Sequence, residues 1–279
     1  MKLFICECLR FLFRFKSLKP HFFGVYKRFI EPLKLTHHIV IWREVNGIKI
    51  KLNLSDWVQT NLFFLGGYEK TELDFVMKNL PKDALVIDVG ANIGWYSLNL
   101  SRFLNQGQVI SFEPFSKNYI ELQSNLEANR LKNIQVFRVG LGNVNEKLQI
   151  RYNSDDHNLG MASINLTSYD YSEDIEVKRL DDFVAQLDLN KLKFIKLDIE
   201  GFEYEALLGM SETLKTYKPY LLIEQDENVL QSKSVEIVQK IDDFLRALGY
   251  QKFLINKSGT LVKVNYLTSK EYTNYFYKV

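Results

Sequence analysis

The chain has 279 residues, of which 46% are hydrophobic and 25% charged, with 14 Gly and 5 Pro. This is an ordinary globular composition, and it excludes intrinsic disorder and collagen-like repeats. No stretch without Asp, Glu, Lys or Arg exceeds 13 residues, whereas a membrane-spanning helix needs about 18 apolar residues. We therefore expect neither a transmembrane helix nor a signal peptide, and the sequence predicts a cytoplasmic protein.

Positive charge is concentrated in the first 34 residues, which hold eight Lys and Arg against two acids. Glu7, Arg10 and Arg14 follow helical spacing and form one polar stripe. The opposite face of this helix carries four side chains: Phe4, Cys8, Phe11 and Phe15. We favour a helix that packs on the protein's own body or on a second subunit, as amphipathic helices mostly do. The alternative is peripheral contact with anionic lipid at the inner membrane surface.

Three segments are predicted along the chain. Residues 1–36 form the basic amphipathic arm, and residues 37–80 form a β-hairpin around Asn46-Gly47 followed by a helical cap. In residues 81–279 short apolar strands alternate with helices, which is typical of βαβ units and of a mostly parallel sheet with helices on both faces. The runs QKFLIN and TLVKVNY are joined by a short turn and should form an antiparallel hairpin at the sheet edge.

Ligands of open α/β sheets bind beyond the carboxyl ends of the strands. The first strand of the sheet ends in DVGANIG, where Gly90 and Gly94 allow a tight turn before a helix N-terminus. Asn92 replaces the second glycine of a dinucleotide fingerprint, which disfavours NAD. The second strand ends at Glu113, 23 residues after Gly90, a spacing that lets a carboxylate accept both hydroxyls of an adenosine ribose. Pro114 then fixes the exit of the chain.

Carboxylates also end two later strands. Asp198 and Glu200 alternate along KLDIEG and so point in one direction, and Glu224 ends the next strand. Such a group can hold substrate hydroxyls, act as a general base or bind a divalent ion. His157 lies in the polar insertion RYNSDDHNLGMAS, which we expect to fold as an irregular lid. It is either a second candidate base or a merely exposed loop histidine.

These motifs occur in a specific order: GGYEKTE, VIDVGANIGWYS, SFEP, RLDDF, FIKLDIEGFEYEALLGM and LLIE. In that order they resemble the FkbM-type family of S-adenosylmethionine-dependent methyltransferases over about residues 46–250. The resemblance implies a Rossmann-like class I methyltransferase fold, with a seven-stranded sheet whose last strand is antiparallel. It implies methyl transfer from S-adenosylmethionine, usually to a hydroxyl oxygen of a sugar or another small natural product. The cofactor site it implies comprises Glu69, Asp88, Gly90, Asn92, Gly94, Tyr96, Glu113 and Pro114.

Methyl transfer is an in-line displacement, and an alcohol acceptor additionally needs a base to take its proton. Asp198 and Glu200 are the first candidates for this catalytic role, and His157 is the second. We expect a small-molecule or glycan acceptor and no nucleic-acid partner, since the basic residues are sparse and the rest of the chain is acidic. Three alternatives remain. A nucleotide-sugar glycosyltransferase with a metal-bound acidic pair and an NAD-dependent oxidoreductase, against which Asn92 argues, share such a sheet. The third is a non-enzymatic scaffold that binds the cofactor without methylating an acceptor.

Overall fold

The structure, a computed structural model, describes residues 1–15, 17–153, 162–164, 166–184, 187–225, 234–264 and 273–279. Its helices are α1 (Lys2–Leu12), α2 (Phe22–Val25), α3 (Trp57–Leu65), α4 (Lys70–Asn79), α5 (Trp95–Phe103), α6 (Ser116–Asn129), α7 (Leu180–Phe183), α8 (Glu203–Gly209), α9 (Ser211–Tyr217) and α10 (Ser234–Ala247). Its strands are β1 (Val40–Val45), β2 (Ile48–Asn53), β3 (Leu85–Val89), β4 (Gln108–Phe112), β5 (Ile134–Phe137), β6 (Gly140–Leu141), β7 (Glu146–Tyr152), β8 (Tyr171–Lys178), β9 (Leu192–Leu197), β10 (Tyr220–Gln225), β11 (Gln251–Ile255), β12 (Leu261–Lys263) and β13 (Thr273–Lys278). A 3-10 turn (Lys19–His21) and a π-helical turn (Tyr26–Ile30) flank α2.

The central sheet has eight strands in the order β12-β11-β13-β10-β9-β3-β4-β5. The strands β5, β4, β3, β9 and β10 are parallel. Winding runs from β3 through β4 to β5 on one side and from β9 to β10 on the other, so it reverses between β3 and β9. A crevice at such a reversal is where open sheets bind their ligands.

The predicted hairpin of QKFLIN and TLVKVNY is confirmed as β11 and β12, with β12 at the sheet edge. The sequence analysis missed β13, which runs antiparallel between β10 and β11 and buries Tyr275, Phe276 and Tyr277. The sheet therefore has eight strands instead of seven. Its last strand, β13, is antiparallel, as the resemblance implies, and β12 is a second antiparallel strand at the edge. Insertion of the last strand between two earlier ones is a long-range pairing, which local periodicity does not report.

Helices cover both faces of the sheet, as predicted. Along β3, Val86 packs into one hydrophobic cluster with α3 to α6, and Ile87 packs into a second cluster with α7 to α10. The hairpin turn is also confirmed, since Asn46 and Gly47 join β1 to β2 with φ angles of 51° and 79°. These left-handed angles are the ones that a tight two-residue hairpin turn requires.

The arm packs on the first of these clusters, but not through the face that the helical wheel predicts. Its buried hydrophobic side chains are Cys6, Phe13, Phe22, Tyr26 and Ile30. The predicted apolar face points outward, with Phe4 and Phe11 73% and 57% exposed. Arg10, assigned to the polar stripe, instead donates from Nε to the Phe63 carbonyl at 2.9 Å. Helix α1 has apolar side chains on two faces, and the face that packs against α3 is the buried one.

A second, three-stranded sheet follows β5, in the order β6-β8-β7. The sequence analysis expected an irregular insertion here, yet β7 (Glu146–Tyr152) and β8 (Tyr171–Lys178) pair as a regular antiparallel ladder. The lid segment RYNSDDHNLGMAS lies mostly outside the described residues, so the lid stays a prediction. His157 lies outside the described residues. Across the described ranges, no helix combines the length and the apolarity that a membrane span requires.

Candidate active site

A cavity of about 350 Å³ opens where the winding of the sheet reverses. It is lined by nine of the predicted site residues: Glu69, Asp88, Gly90, Asn92, Tyr96, Glu113, Pro114, Asp198 and Glu200. Gly94 lies outside the lining and instead precedes α5, with a φ of 94°. No histidine within the described ranges lines the cavity.

The loop after β3 is held tightly against two neighbouring strands. The amides of Gly90 and Ala91 both donate to the Phe112 carbonyl at the end of β4, at 2.9 and 3.1 Å. Gly90 has a φ of 80°, and a Cβ built there would lie 1.9 Å from the Asp198 carbonyl oxygen. Only glycine fits this position, because both the backbone angle and the close approach of β9 exclude a side chain.

Gly90→Ala is expected to destabilise the protein by about 2–4 kcal/mol, since the new methyl group meets a backbone carbonyl that cannot rotate away. Gly259→Ala is the matched control, because Gly259 has a similar φ of 71° and no atom near its Cβ position. Its cost should be about 1 kcal/mol from backbone strain alone. Chemical denaturation of both variants checks the difference, and equal losses would mean that the close contact is unimportant.

Glu113 follows β4 and is 4% exposed. Its Oε2 accepts from the Asn92 amide at 2.7 Å, and its Oε1 accepts from the Phe115 amide at 3.0 Å. Burial raises the pKa of Glu113 to about 7, and these two backbone donors limit the rise. The carboxylate therefore joins the glycine loop to the start of α6 at the cavity wall.

An apolar pocket adjoins Glu113. Phe115 packs in one hydrophobic cluster with Ile150, Ile175 and Val177 of the second sheet, and all four line the cavity. Sequence reasoning missed this pocket, since three of its side chains come from the region that was expected to be irregular. The local signal in the sequence was the alternation of polar and apolar residues in DIEVK of β8.

A group of charged side chains lies at the ends of β9 and β10, and we call it the carboxylate–lysine cluster: Lys196, Asp198, Glu200 and Glu224. The three carboxylates bring oxygen atoms within 4.8 Å of one another. Lys196 Nζ lies 2.5 Å from Asp198 Oδ2, and both Lys196 and Glu224 are buried. Carboxylate oxygens also suit a hard divalent ion, but here Lys196 already supplies a cation to Asp198.

The cluster sets the protonation of its members. Burial would raise the pKa of Asp198, but the Lys196 ammonium and a side-chain hydrogen bond with Glu224 together lower that pKa. Burial likewise opposes the charged form of Lys196, yet the carboxylates of Asp198, Glu69 and Asp88 raise its pKa above the usual value. The Lys196–Asp198 pair is thus ionised, which makes Asp198 a weak base.

Glu69 reaches this cluster from the N-terminus of α4. Its Oε1 accepts from Asn274 Nδ2 of β13 at 2.6 Å, so the missed strand supports a predicted site residue. Burial raises the pKa of Glu69 to about 7, while Lys196 limits the rise. Burial and the charge of Glu69 also raise the pKa of Tyr96, whose ring lies 4.7 Å from Lys196 Nζ.

Comparison with known proteins identifies this domain. The family model described as Methyltransferase FkbM domain matches residues 88–252, more than half of the chain. The chain belongs to the FkbM methyltransferase family. This result confirms the resemblance read from the motifs. It supports methyl transfer rather than glycosyl or hydride transfer as the activity of the domain.

Three curated relatives of this FkbM methyltransferase carry methyltransferase names, and two of them illustrate the range of similarity. Methyltransferase 1 of Beauveria bassiana is 26% identical over 224 residues, covering 70% of this chain and 84% of that protein. The 2-O-methyltransferase NoeI of Sinorhizobium fredii is 21% identical over 146 residues, covering 47% of this chain and 59% of that protein. These identities support the family and leave the acceptor of the present chain to be proposed.

A solved structure shares the fold of this FkbM domain. Methyltransferase FkbM from Methylobacillus flagellatus KT aligns with a TM-score of 0.50 at 20% identity, covering 81% of this chain and 53% of that chain. The present chain thus spans about half the length of that structure. The likeness shows the class I methyltransferase fold, a mostly parallel sheet between two layers of helices.

The sequence analysis gave no role to Glu203. This side chain stabilises the loop of residues 198–202 within the motif FIKLDIEGFEYEALLGM. Its Oε1 accepts from the amides of Ile199 and Gly201 at 3.1 and 3.2 Å. Glu203 is 4% exposed, and burial raises its pKa to about 7. Its position in the first turn of α8 was a visible helix N-terminal signal. Lys196 was visible as well, because a lysine inside an apolar strand is almost never buried without a charged partner.

Glu203→Gln is expected to gain stability relative to the wild type as pH rises from about 4.5 to 8. The folded state favours protonated Glu203, so its contribution is full below the unfolded pKa and is lost as pH rises through about 7. Glutamine keeps an acceptor for the two amides and has no charge to bury, so the difference should reach about 1 kcal/mol or more. Urea unfolding at several pH values checks this. The exposed Glu212→Gln is the control, and parallel curves for Glu203→Gln and wild type would contradict the assignment.

Proposed function

We propose that this FkbM methyltransferase transfers the methyl group of S-adenosylmethionine to a hydroxyl oxygen of a sugar, a glycan or another small natural product. The observation that carries the proposal is that one cavity contains both the Glu113 loop and the carboxylate–lysine cluster. The name of NoeI, a 2-O-methyltransferase, supports a hydroxyl acceptor by analogy. The glycosyltransferase and oxidoreductase alternatives have no comparable support.

The cavity wall fits a sulfonium nucleoside in three respects. Glu113 offers carboxylate oxygens for ribose hydroxyls, and the pocket around Phe115 is apolar enough for an adenine ring. The buried Asp88 Oδ1 has no hydrogen-bond partner within the described residues, so it is available to a ligand donor. These residues would hold S-adenosylmethionine.

When bound, S-adenosylmethionine supplies an electrophilic methyl carbon to an acceptor oxygen aligned with it. The chain's own residues orient that oxygen and take its proton. We assign the base to Glu200, because the ion pair with Lys196 lowers the pKa of Asp198 and weakens it as a base. The Lys196–Asp198 pair then holds an acceptor hydroxyl in position.

Transfer of radiolabelled methyl groups to a panel of acceptors tests the proposal. The panel contains saccharides, phenols, amines and thiols, each incubated with the full chain and labelled S-adenosylmethionine. We expect label in a hydroxyl-bearing compound, as an ether that survives mild alkali. Label found only in amines or thiols would overturn the hydroxyl assignment. Cofactor binding without transfer to any panel member would count against the sugar and small-molecule classes.

A further inference from the structure

The outward side of the arm is rich in exposed apolar side chains. All the exposed phenylalanines of the described residues lie there, between 51% and 73% exposed: Phe4, Phe11, Phe15, Phe23 and Phe29. Leu12, Leu18 and Leu33 are exposed beside them. The arm already buries a separate set of side chains against the body, so this outward face is not needed for packing within the chain.

Positive charge surrounds these phenylalanines. Six cationic side chains of the arm are exposed: Lys2, Arg14, Lys19, Lys27, Arg28 and Lys34. The acids of the arm are both in ion pairs, Glu7 with Arg10 and Arg43 and Glu31 with Lys27. The rest of the chain, residues 37–279, holds 28 basic and 32 acidic residues. Net positive charge is thus concentrated in the segment that also exposes aromatic side chains.

We propose that this outward face of the arm docks on an anionic lipid bilayer. A bilayer offers apolar depth to the phenylalanines and negative headgroups to the lysines and arginines at the same time. A second copy of the chain offers no such match, because a symmetric dimer through this face would bring two cationic surfaces together. The acidic remainder of the chain would orient the protein with the arm toward the lipid.

The docking surface adjoins the active-site cavity. Trp57 lines the cavity, and the ring of Phe23 meets it edge-on with centroids 6.0 Å apart. Phe22 and Tyr26 of the arm pack on the same indole, at 6.2 and 4.9 Å. A protein docked through the arm therefore holds its cavity beside the lipid surface.

Vesicle co-sedimentation of the full chain tests the proposal, with vesicles of phosphatidylcholine alone and with about a third phosphatidylglycerol. We expect binding to the anionic vesicles that weakens with salt. The triple variant Phe4→Gln, Phe11→Gln, Phe15→Gln should bind at least about tenfold more weakly, and Arg14→Glu with Arg28→Glu should also reduce binding. The matched control is Ile120→Gln, Val144→Gln, Val262→Gln, which removes exposed apolar side chains elsewhere and should bind like the wild type.

Thermal melts establish that each variant is folded, which is expected because every replaced side chain is exposed. Failure of the wild type to sediment with anionic vesicles would overturn the proposal, as would equal binding by the phenylalanine variant. Light scattering measures the oligomeric state of the wild type and of the phenylalanine variant. A dimer that the phenylalanine variant dissociates, without any vesicle binding, would assign the same face to a second copy. None of these readouts depends on methyl transfer, so failure here is separate from failure of the proposed function.

Discussion

Glu113→Ala is expected to weaken the binding of S-adenosylmethionine by about 100-fold or more. The variant removes the proposed acceptor of two ribose hydroxyls, and hydrogen bonds to a charged group contribute about 1.5–3 kcal/mol each. It also leaves the amides of Asn92 and Phe115 without their acceptor, which loosens the loop. Calorimetric titration with S-adenosylmethionine and S-adenosylhomocysteine measures the loss, and NAD is expected not to bind.

Two variants separate ribose recognition from loop support. Glu113→Gln keeps an acceptor oxygen for the loop and should recover thermal stability while binding more weakly than the wild type. Glu127→Ala removes an exposed glutamate of α6 that lies outside the cavity, and it should bind normally. Wild-type affinity in Glu113→Ala would show that the ribose is bound elsewhere. No binding by the wild type would remove the main support for the proposed cofactor.

The pH dependence of this binding has a definite sign. The pKa of Glu113 is raised to about 7 in the free protein, so this side chain is largely protonated below pH 7. It must lose that proton before it can bind the ribose hydroxyls as a carboxylate. Affinity for S-adenosylmethionine should therefore increase as pH rises toward 7 and level off above it. Glu113→Gln should lack that part of the dependence, and identical profiles for the two proteins would exclude Glu113 as its source.

Glu200→Gln is expected to lower kcat by about 10²–10⁴-fold, the usual contribution of a positioned base, while leaving the affinity for S-adenosylmethionine unchanged. Glutamine has the same shape and can occupy the same backbone, which has a φ of 54° at this position, but it cannot take a proton. Steady-state kinetics with an acceptor found in the panel, combined with calorimetry, measure both quantities.

Asp198→Asn provides the contrast. If the Lys196–Asp198 pair positions the acceptor, this variant should raise the KM for the acceptor more than Glu200→Gln does. The exposed Glu212→Gln should leave both parameters unchanged. Joint loss of turnover and cofactor affinity in Glu200→Gln would indicate that Glu200 shapes the loop. Full turnover would move the base to another group of the cavity, and Glu69, with its raised pKa, would be the next to test.

Much of the fold and of the candidate site is readable from the sequence because the signals are local. Asn46-Gly47 adopts the left-handed angles of a tight turn on its own chemistry. The alternation of apolar strands and helices predicts a parallel sheet, and ligand residues of such a sheet follow its strand ends. That rule placed Gly90, Glu113 and Asp198 correctly at one cavity.

The tertiary structure decided what depends on partners distant in sequence. β13 is an inner strand because it pairs with β10 on one side and with β11 on the other. This insertion brings Asn274 to Glu69. Burial and the facing carboxylates set the charge state of Lys196, which no spacing along the chain encodes. Packing against α3 determined which apolar face of α1 is buried. The local sequence determined where most helices, strands and turns form. Packing determined which of their side chains are in contact, because each contact depends on surfaces that exist only after folding.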